Sequence, residues 1–294
     1  PETSSRPTGG GYDYADTAIT GFSLTHVSGV GCPIQGDLPI LPTTGPIEPN
    51  PARTTVPFSH NDEQASPGSY AVRLGGISTR IATTQRAGVS ELDYPAPGNV
   101  LFKTGSSQNG NSDATVTVQG PDRVTGSVSS GRFCAHDNTY KLYFAAVFDQ
   151  PFSSYGTWQG STTTPGASTA QGPGSGAWVT FGSTHVGMKV AISYVSEANA
   201  WLNLRNEIPG WRTEPVAAAT RAAWRSYLSK IDITGGTRDQ QVQFYTALYH
   251  SLLHPNVFSD VNGEYIGFDD KVHHTDRTQY ANFSGWDVYR TLIQ

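Results

Sequence analysis

From residue 68 onward the chain alternates apolar and polar positions with a period of two. GSYAVRL and ISTRIATTQ each set an apolar face against a polar one, and Gly75-Gly76 between them predicts a hairpin turn. ATVTVQG (114–120) and RVTGSVSS (123–130) repeat the arrangement around Gly120-Pro121. YKLYFAAVFD (140–149), GAWVTFG (176–182) and HVGMKVAISYVS (185–196) are longer and more apolar, as central strands are. Residues 153–176, rich in Gly, Ser and Thr, read as an exposed loop with little to pack. Residues 1–57 read as irregular chain punctuated by Gly and Pro, and ordered loops of such length are usually functional. Short strands with regular turn signals predict an antiparallel β-sandwich.

Near residue 197 the period changes. SEANAWLNLRNEIPGW reads as a helical turn and a connector. In PVAAATRAAWRSYLSKI, Pro215 suits a first helical position. Val216, Ala219, Ala223, Trp224, Tyr227, Leu228 and Ile231 recur at three- and four-residue spacing. Thr237 and Gln240 form a capping box, and the helix behind them aligns Val242, Tyr245, Leu248, Tyr249 and Leu252 until His254-Pro255 stops it. Asn262-Gly263 predicts a tight hairpin. The expected organisation is mainly β: a sandwich over 1–209, a linker helix over 210–236, and the start of a helical domain over 237–294.

Composition narrows the function classes. A chain of 294 residues holds one large or two ordinary domains. Only 15% of residues are charged, the net charge is −5, and basic blocks are absent, which argues against nucleic acid and anionic membrane as partners. Apolar runs fall short of the ~20 residues that span a bilayer. PETSSRPTGG carries neither the basic nor the apolar region of a signal peptide, so none is expected in this stretch. Cys32 and Cys134 have no metal-ligand spacing; a disulfide and two buried thiols are both open.

Three stretches carry candidate chemistry. GFSLTHVSGVGCPIQGD (21–37) combines Gly29, Gly31 and Gly36 with His26, Ser28 and Asp37 as polar tips, either as a structural loop or as one projected into a neighbouring pocket. FSHNDEQASPGSY (58–70) sets His60, Asp62 and Glu63 close together. The spacing is weak for a metal, and adjacent carboxylates seldom stand the ~5–9 Å apart that a glycosidase pair requires. SGWDVYR places Trp286, Asp287 and Arg290 together: a ring to stack on a pyranose, and charges to bind hydroxyls. The same residues also suit a core Trp beside an ordinary ion pair at helical spacing.

Taken in order, GFSLTHVSGVGC, FSHNDEQASPGSYAVRL, KVAISYVSEANAWLNLRNEIPGW, FYTALYHSLLHPNVFSDVNGEYIGFD and YANFSGWDVYRTL resemble the family 92 glycoside hydrolases. The resemblance implies an N-terminal β-sandwich, a linker and a C-terminal (α/α)6 barrel, of which this chain holds the first helices. It implies an exo-acting, inverting α-mannosidase that removes terminal mannose from glycans with the help of Ca²⁺, in a secreted or periplasmic setting. A preference for α-1,2 bonds is implied only by family frequency. Trp286, Asp287 and Arg290 are expected to hold the terminal mannose. The loop with His26, Ser28, Gly29 and Cys32 is expected to reach the pocket rim. The general acid, the general base and most calcium ligands of the family come from later in the barrel, so no catalytic residue is expected in this sequence. The remainder of the enzyme is expected as a partner chain or further segment, without which the chain is inactive. A non-catalytic carbohydrate-binding sandwich and a purely structural β-domain are the alternative readings.

Overall fold

The computed structural model describes residues 1–3, 10–28 and 30–283. In chain order the strands are β1 (Ala18–Ile19), β2 (Ile40–Thr44), β3 (Val56–Pro57), β4 (Glu63–Ser66), β5 (Ser69–Leu74), β6 (Ile77–Thr83), β7 (Ala87–Asp93) and β8 (Gly98–Phe102). There follow β9 (Asn111–Gln119), β10 (Arg123–Gly131), β11 (Thr139–Phe148), β12 (Ser154–Gln159), β13 (Thr162–Pro165), β14 (Thr169–Gln171), β15 (Ser175–Thr180) and β16 (His185–Ser193). A nine-stranded sheet, ordered β14-β9-β10-β11-β16-β7-β6-β5-β4, faces a five-stranded sheet, ordered β13-β12-β15-β8-β2. Every pairing among the described strands is antiparallel, so the sandwich is present, with the hairpins predicted at Gly75-Gly76 and Gly120-Pro121.

Alternation decides what each face covers. Val100, Phe102, Ala177 and Val179 pack inward against Val116, Phe144, Phe148 and Val190 of the large sheet. Their neighbours Leu101, Trp158 and Trp178 point the other way, into a second core closed by Ile19, Val56, Val72 and Leu74. The stretch 153–176 is therefore not an unpacked loop. It carries β12, β13 and β14, and Trp158 is 1% exposed. Glycine makes this possible: a Cβ on Gly176 would strike the Trp158 ring, and one on Gly156 the Trp178 ring.

The outer face of the large sheet carries the helices α1 (Glu197–Glu207) and α2 (Thr213–Leu228), and α3 (Arg238–Ser251) follows against α2, where Tyr249 meets the Trp224 ring. Leu204 and Ile208, at the end of α1, and Ala217 of α2 cover Ala82, Ala87, Val89 and Ala191. The predicted turn and connector is thus an 11-residue helix, capped by Ser196 accepting from the Asn199 amide. Helix α2 begins at Thr213, two residues before Pro215. Its N-terminus is capped from outside by Glu91 of β7, which accepts from the Thr213 amide at 3.0 Å and from the Thr213 hydroxyl. Small side chains turn toward the sheet, leaving Tyr227 exposed together with Ile231 beyond the helix. The Thr237–Gln240 capping box of α3 is present.

Beyond α3 the chain forms β17 (Asn256–Val257), β18 (Glu264–Ile266), β19 (Val272–His274) and β20 (Tyr280–Ala281). Asn262-Gly263 is a tight turn with the Gly263 amide donating to Asp260 O, but the strands around it do not pair. β17 pairs with β20, and β18 with β19. No described helix is long and apolar enough to cross a membrane.

Candidate functional site

The loop 21–37 is held from beneath by two buried carboxylates. Asp37, 1% exposed, accepts from Ser107 Oγ at 2.6 Å, Tyr140 Oη at 2.7 Å and Thr25 Oγ1 at 3.1 Å, while its amide donates to Thr25 Oγ1 at 2.9 Å. Asp37 is therefore an anchor and not a polar tip. Burial pushes its carboxyl above the usual range, against the pull of those donors. Glu2 pairs with His26 and takes a hydrogen bond from Gln108. Burial pushes Glu2 upward, but the His26 and Gln108 contacts outweigh it, and its carboxyl lies below its ordinary pKa.

Cys32 and Cys134 form a disulfide, so the alternative of two buried thiols does not hold. The bond ties the loop to the turn after β10, where Arg132, Cys134 and Ala135 all take left-handed backbone angles. At the loop tip the Ser28 carbonyl accepts from His254 Nε2 at 2.8 Å. His254 lies three residues past α3, so the sandwich loop touches the helical segment directly.

Beside this contact the segment 256–266 is locked to the sandwich. Asp260, 4% exposed, accepts from Ser193 Oγ at 2.6 Å, Asn199 Nδ2 at 2.8 Å and Asn203 Nδ2 at 2.7 Å. Asn199 Nδ2 also reaches Glu264 Oε2 at 2.8 Å, and the Val261 amide returns to Asn203 Oδ1 at 3.0 Å. Arg86 donates to the Ser259 carbonyl at 2.6 Å and to Glu207 Oε1 at 2.6 Å. A file of rings joins the two anchors: Tyr140 packs on Tyr194 at 6.0 Å, and Tyr194 on Phe258 at 4.8 Å.

Of the expected site residues, His26, Ser28 and Cys32 share this junction. Gly29, Trp286, Asp287 and Arg290 lie outside the described residues. The nearest described pairing before the last three is β20, whose Asn282 neighbour donates to Asn256 Oδ1 at 2.9 Å. His60 and Glu63 form a separate polar cluster. Glu63 accepts from Tyr70 at 2.5 Å and Tyr12 at 2.9 Å and meets His60 Nδ1 at 2.7 Å, while the His60 ring stacks on Tyr14. Among the described residues no three His, Cys, Asp or Glu side chains converge as a metal set. Asp260 does not fit Ca²⁺ either, because hydroxyl and amide donors already meet its oxygens. Sequence reasoning missed Asp37 and Asp260 as hubs. Asp37 takes its partners 12, 70 and 103 positions away and Asp260 57–67 positions away, and no local pattern marks them.

A two-sheet sandwich bolted to the opening helices of a second domain is a layout found among glycoside hydrolases. The sequence matches the glycosyl hydrolase family 92 N-terminal domain over residues 1–193 and that family's catalytic domain over residues 199–294. The chain belongs to glycosyl hydrolase family 92. It superposes on a family 92 α-mannosidase from Bacteroides thetaiotaomicron with a TM-score of 0.88 and 28% identity, covering 98% of this chain and 41% of that one. A family 92 inverting mannosidase from the same bacterium gives 0.85 and 26%, covering 97% and 40%. An uncharacterized secreted glycosidase from Arthroderma benhamiae is 27% identical over 86% of this chain and 37% of its own length. The chain thus spans about two fifths of the relatives it matches.

Proposed function

We propose that this chain is the sandwich and opening helices of an inverting, exo-acting α-mannosidase that removes terminal α-linked mannose from glycans outside the cytoplasm. The observation that carries the reading is the superposition across both domains, at 98% coverage and 28% identity, on an α-mannosidase of the family. The Arthroderma relative, described as secreted, supports the location, and a disulfide agrees with an oxidising compartment. In this reading Trp286, Asp287 and Arg290 hold the terminal mannose, and the loop through His26, Ser28, Gly29 and Cys32 borders it. The acid and base that protonate the glycosidic oxygen and activate water are supplied by the remainder of the catalytic domain. Calcium belongs to the same proposal, with its ligands outside the described residues, and no step here depends on it.

The test is hydrolysis of α-linked mannobiose by the chain joined to the remainder of its catalytic domain, with and without a chelator. Release of mannose that chelation abolishes is expected. Activity indifferent to chelation overturns the calcium role, and no release from any α-mannobiose overturns the substrate. Asp287→Ala is expected to abolish turnover; an unchanged kcat/KM removes that residue from the site.

A further inference from the structure

Between the β6–β7–β16 face of the large sheet and the chain entering loop 21–37 lies a cleft of about 200 Å³. Its floor and inner walls are Ile40, Leu92, Val100, Met188 and Val190, all buried. Leu24, Ile81 and Ile192 are only partly buried and mark where the cleft meets solvent. Protein cores leave few voids larger than a water molecule, and an apolar cavity of about 150 Å³ is enough to take benzene. This space is therefore of ligand size.

Hydroxyl side chains break the apolar lining: those of Ser23, Thr25 and Tyr70 donate to Asp37 and Glu63, and Thr79, Thr83 and Ser90 line the sheet side. Thr79 of β6 is fully buried, and its Oγ1 has no hydrogen-bond partner. Ser90 of β7, also buried, stands opposite Ile81 in the strand register and lines the same space. A buried hydroxyl without a partner is uncommon in native proteins and calls for an occupant that supplies one. Chemistry narrows that occupant. Asp37 lines the cleft with its oxygens engaged by Ser107, Tyr140 and Thr25, and His26 is paired with Glu2. The Pro1 amine also lines the cleft, but it lies buried in the field of Glu2 and Glu63, so an anion would face Asp37 without an uncommitted counter-charge, and a pyranose would bury more hydroxyls than Thr79, Thr83 and Ser90 can meet.

We propose that this cleft binds a small, neutral, apolar alcohol, with its ring or short chain among Leu92, Met188 and Val190 and its hydroxyl on Thr79. The site lies inside the sandwich and does not depend on the mannosidase reading.

Calorimetry and methyl-resolved NMR on the protein, with benzyl alcohol, toluene, benzoate and methyl α-mannoside as probes, test it. Benzyl alcohol and toluene are expected to bind one to one and to shift the Ile81, Met188 and Ile192 methyl signals. Benzoate and the mannoside are expected to leave those signals unmoved. Thr79→Val is expected to weaken benzyl alcohol about 5-fold, from a neutral hydrogen bond worth about 1 kcal/mol, and to leave toluene unchanged. Ser90→Leu, which fills the space, is expected to abolish both. The proposal is overturned if neither apolar probe saturates or moves those methyls in the wild-type protein. Benzoate binding as tightly as the alcohol, or Thr79→Val sparing the alcohol, overturns the chemical assignment. The methyl shifts of the wild-type protein decide the location even where a variant fails to fold.

Discussion

The carbonyl of Ser28 and Nε2 of His254 meet at 2.8 Å, although 226 positions separate them in sequence. One belongs to a loop of the sandwich, the other to the chain leaving α3. His254→Ala removes the donor and is expected to lower stability by about 1 kcal/mol, the net worth of one such bond. Amide exchange in residues 26–32 is expected to rise while exchange in β9–β11 stays unchanged. Equal protection of 26–32 in variant and wild type would show that the contact does not restrain the loop.

Asp260 should be the most sensitive position at the junction. Asp260→Ala leaves Ser193, Asn199 and Asn203 with unpaired donors in a buried site, and is expected to cost about 3 kcal/mol or more in urea unfolding. Asp260→Asn keeps one acceptor but turns an NH₂ group toward other donors, so an intermediate loss is expected. An alanine variant within about 0.5 kcal/mol of wild type would remove Asp260 from its role as hub.

The Cys32–Cys134 disulfide closes a loop with a sequence separation of 102 residues. Replacing both cysteines by serine is expected to cost about 2–5 kcal/mol, largely through the freer unfolded chain. A reductant should lower the melting temperature of the wild type and leave the double variant where it is. Identical melting of the two proteins under oxidising conditions would contradict this.

Much of the sandwich was legible because its signals are local. Gly75-Gly76 turns between two alternating runs, and Thr237 with Gln240 caps α3, each within a few residues. The stretch 153–176 was not legible, because its Gly, Ser and Thr content suggests solvent. What folds it is the fit of the Trp158 and Trp178 rings over Gly176 and Gly156, a pairing visible only once β12 lies beside β15. The face of α2 was legible only in part: Val216 packs on the sheet and Trp224 on Tyr249, but Tyr227 is exposed. A helix on a sheet needs close approach, so Thr213, Ala217 and Thr220 turn inward, with Thr220 donating to the Thr83 carbonyl at 2.7 Å. The candidate site was legible as motifs but not as geometry, since each anchoring carboxylate takes partners from elements far along the chain, Tyr140 for Asp37 and Ser193, Asn199 and Asn203 for Asp260.

Lys103 gives the fold a pH signature. Its ammonium is buried and donates to the Thr20 and Thr54 carbonyls at 2.7 and 2.6 Å, and burial lowers its pKa to about 7 from 10.5. Between those values the unfolded chain holds a proton that the folded chain has released, so this group makes stability rise with pH. The slope is at most about 1.4 kcal/mol per pH unit. Lys103→Met should flatten the rise between pH 7 and pH 9, and parallel pH profiles for the two proteins would show that Lys103 stays charged throughout.

The direction of the bonds at the junction has a consequence for how the protein is made. Ser193, Asn199, Asn203 and Arg86 all precede Ser259 and Asp260, the groups they grip. A ribosome releases the donors first, on a sheet and helix that already have a core of their own. The 256–266 segment therefore emerges onto a finished template. A chain ending at residue 266 and released from the ribosome is expected to yield a protease-resistant sandwich with the 256–266 segment already seated, so the order of the chain is also the order of assembly.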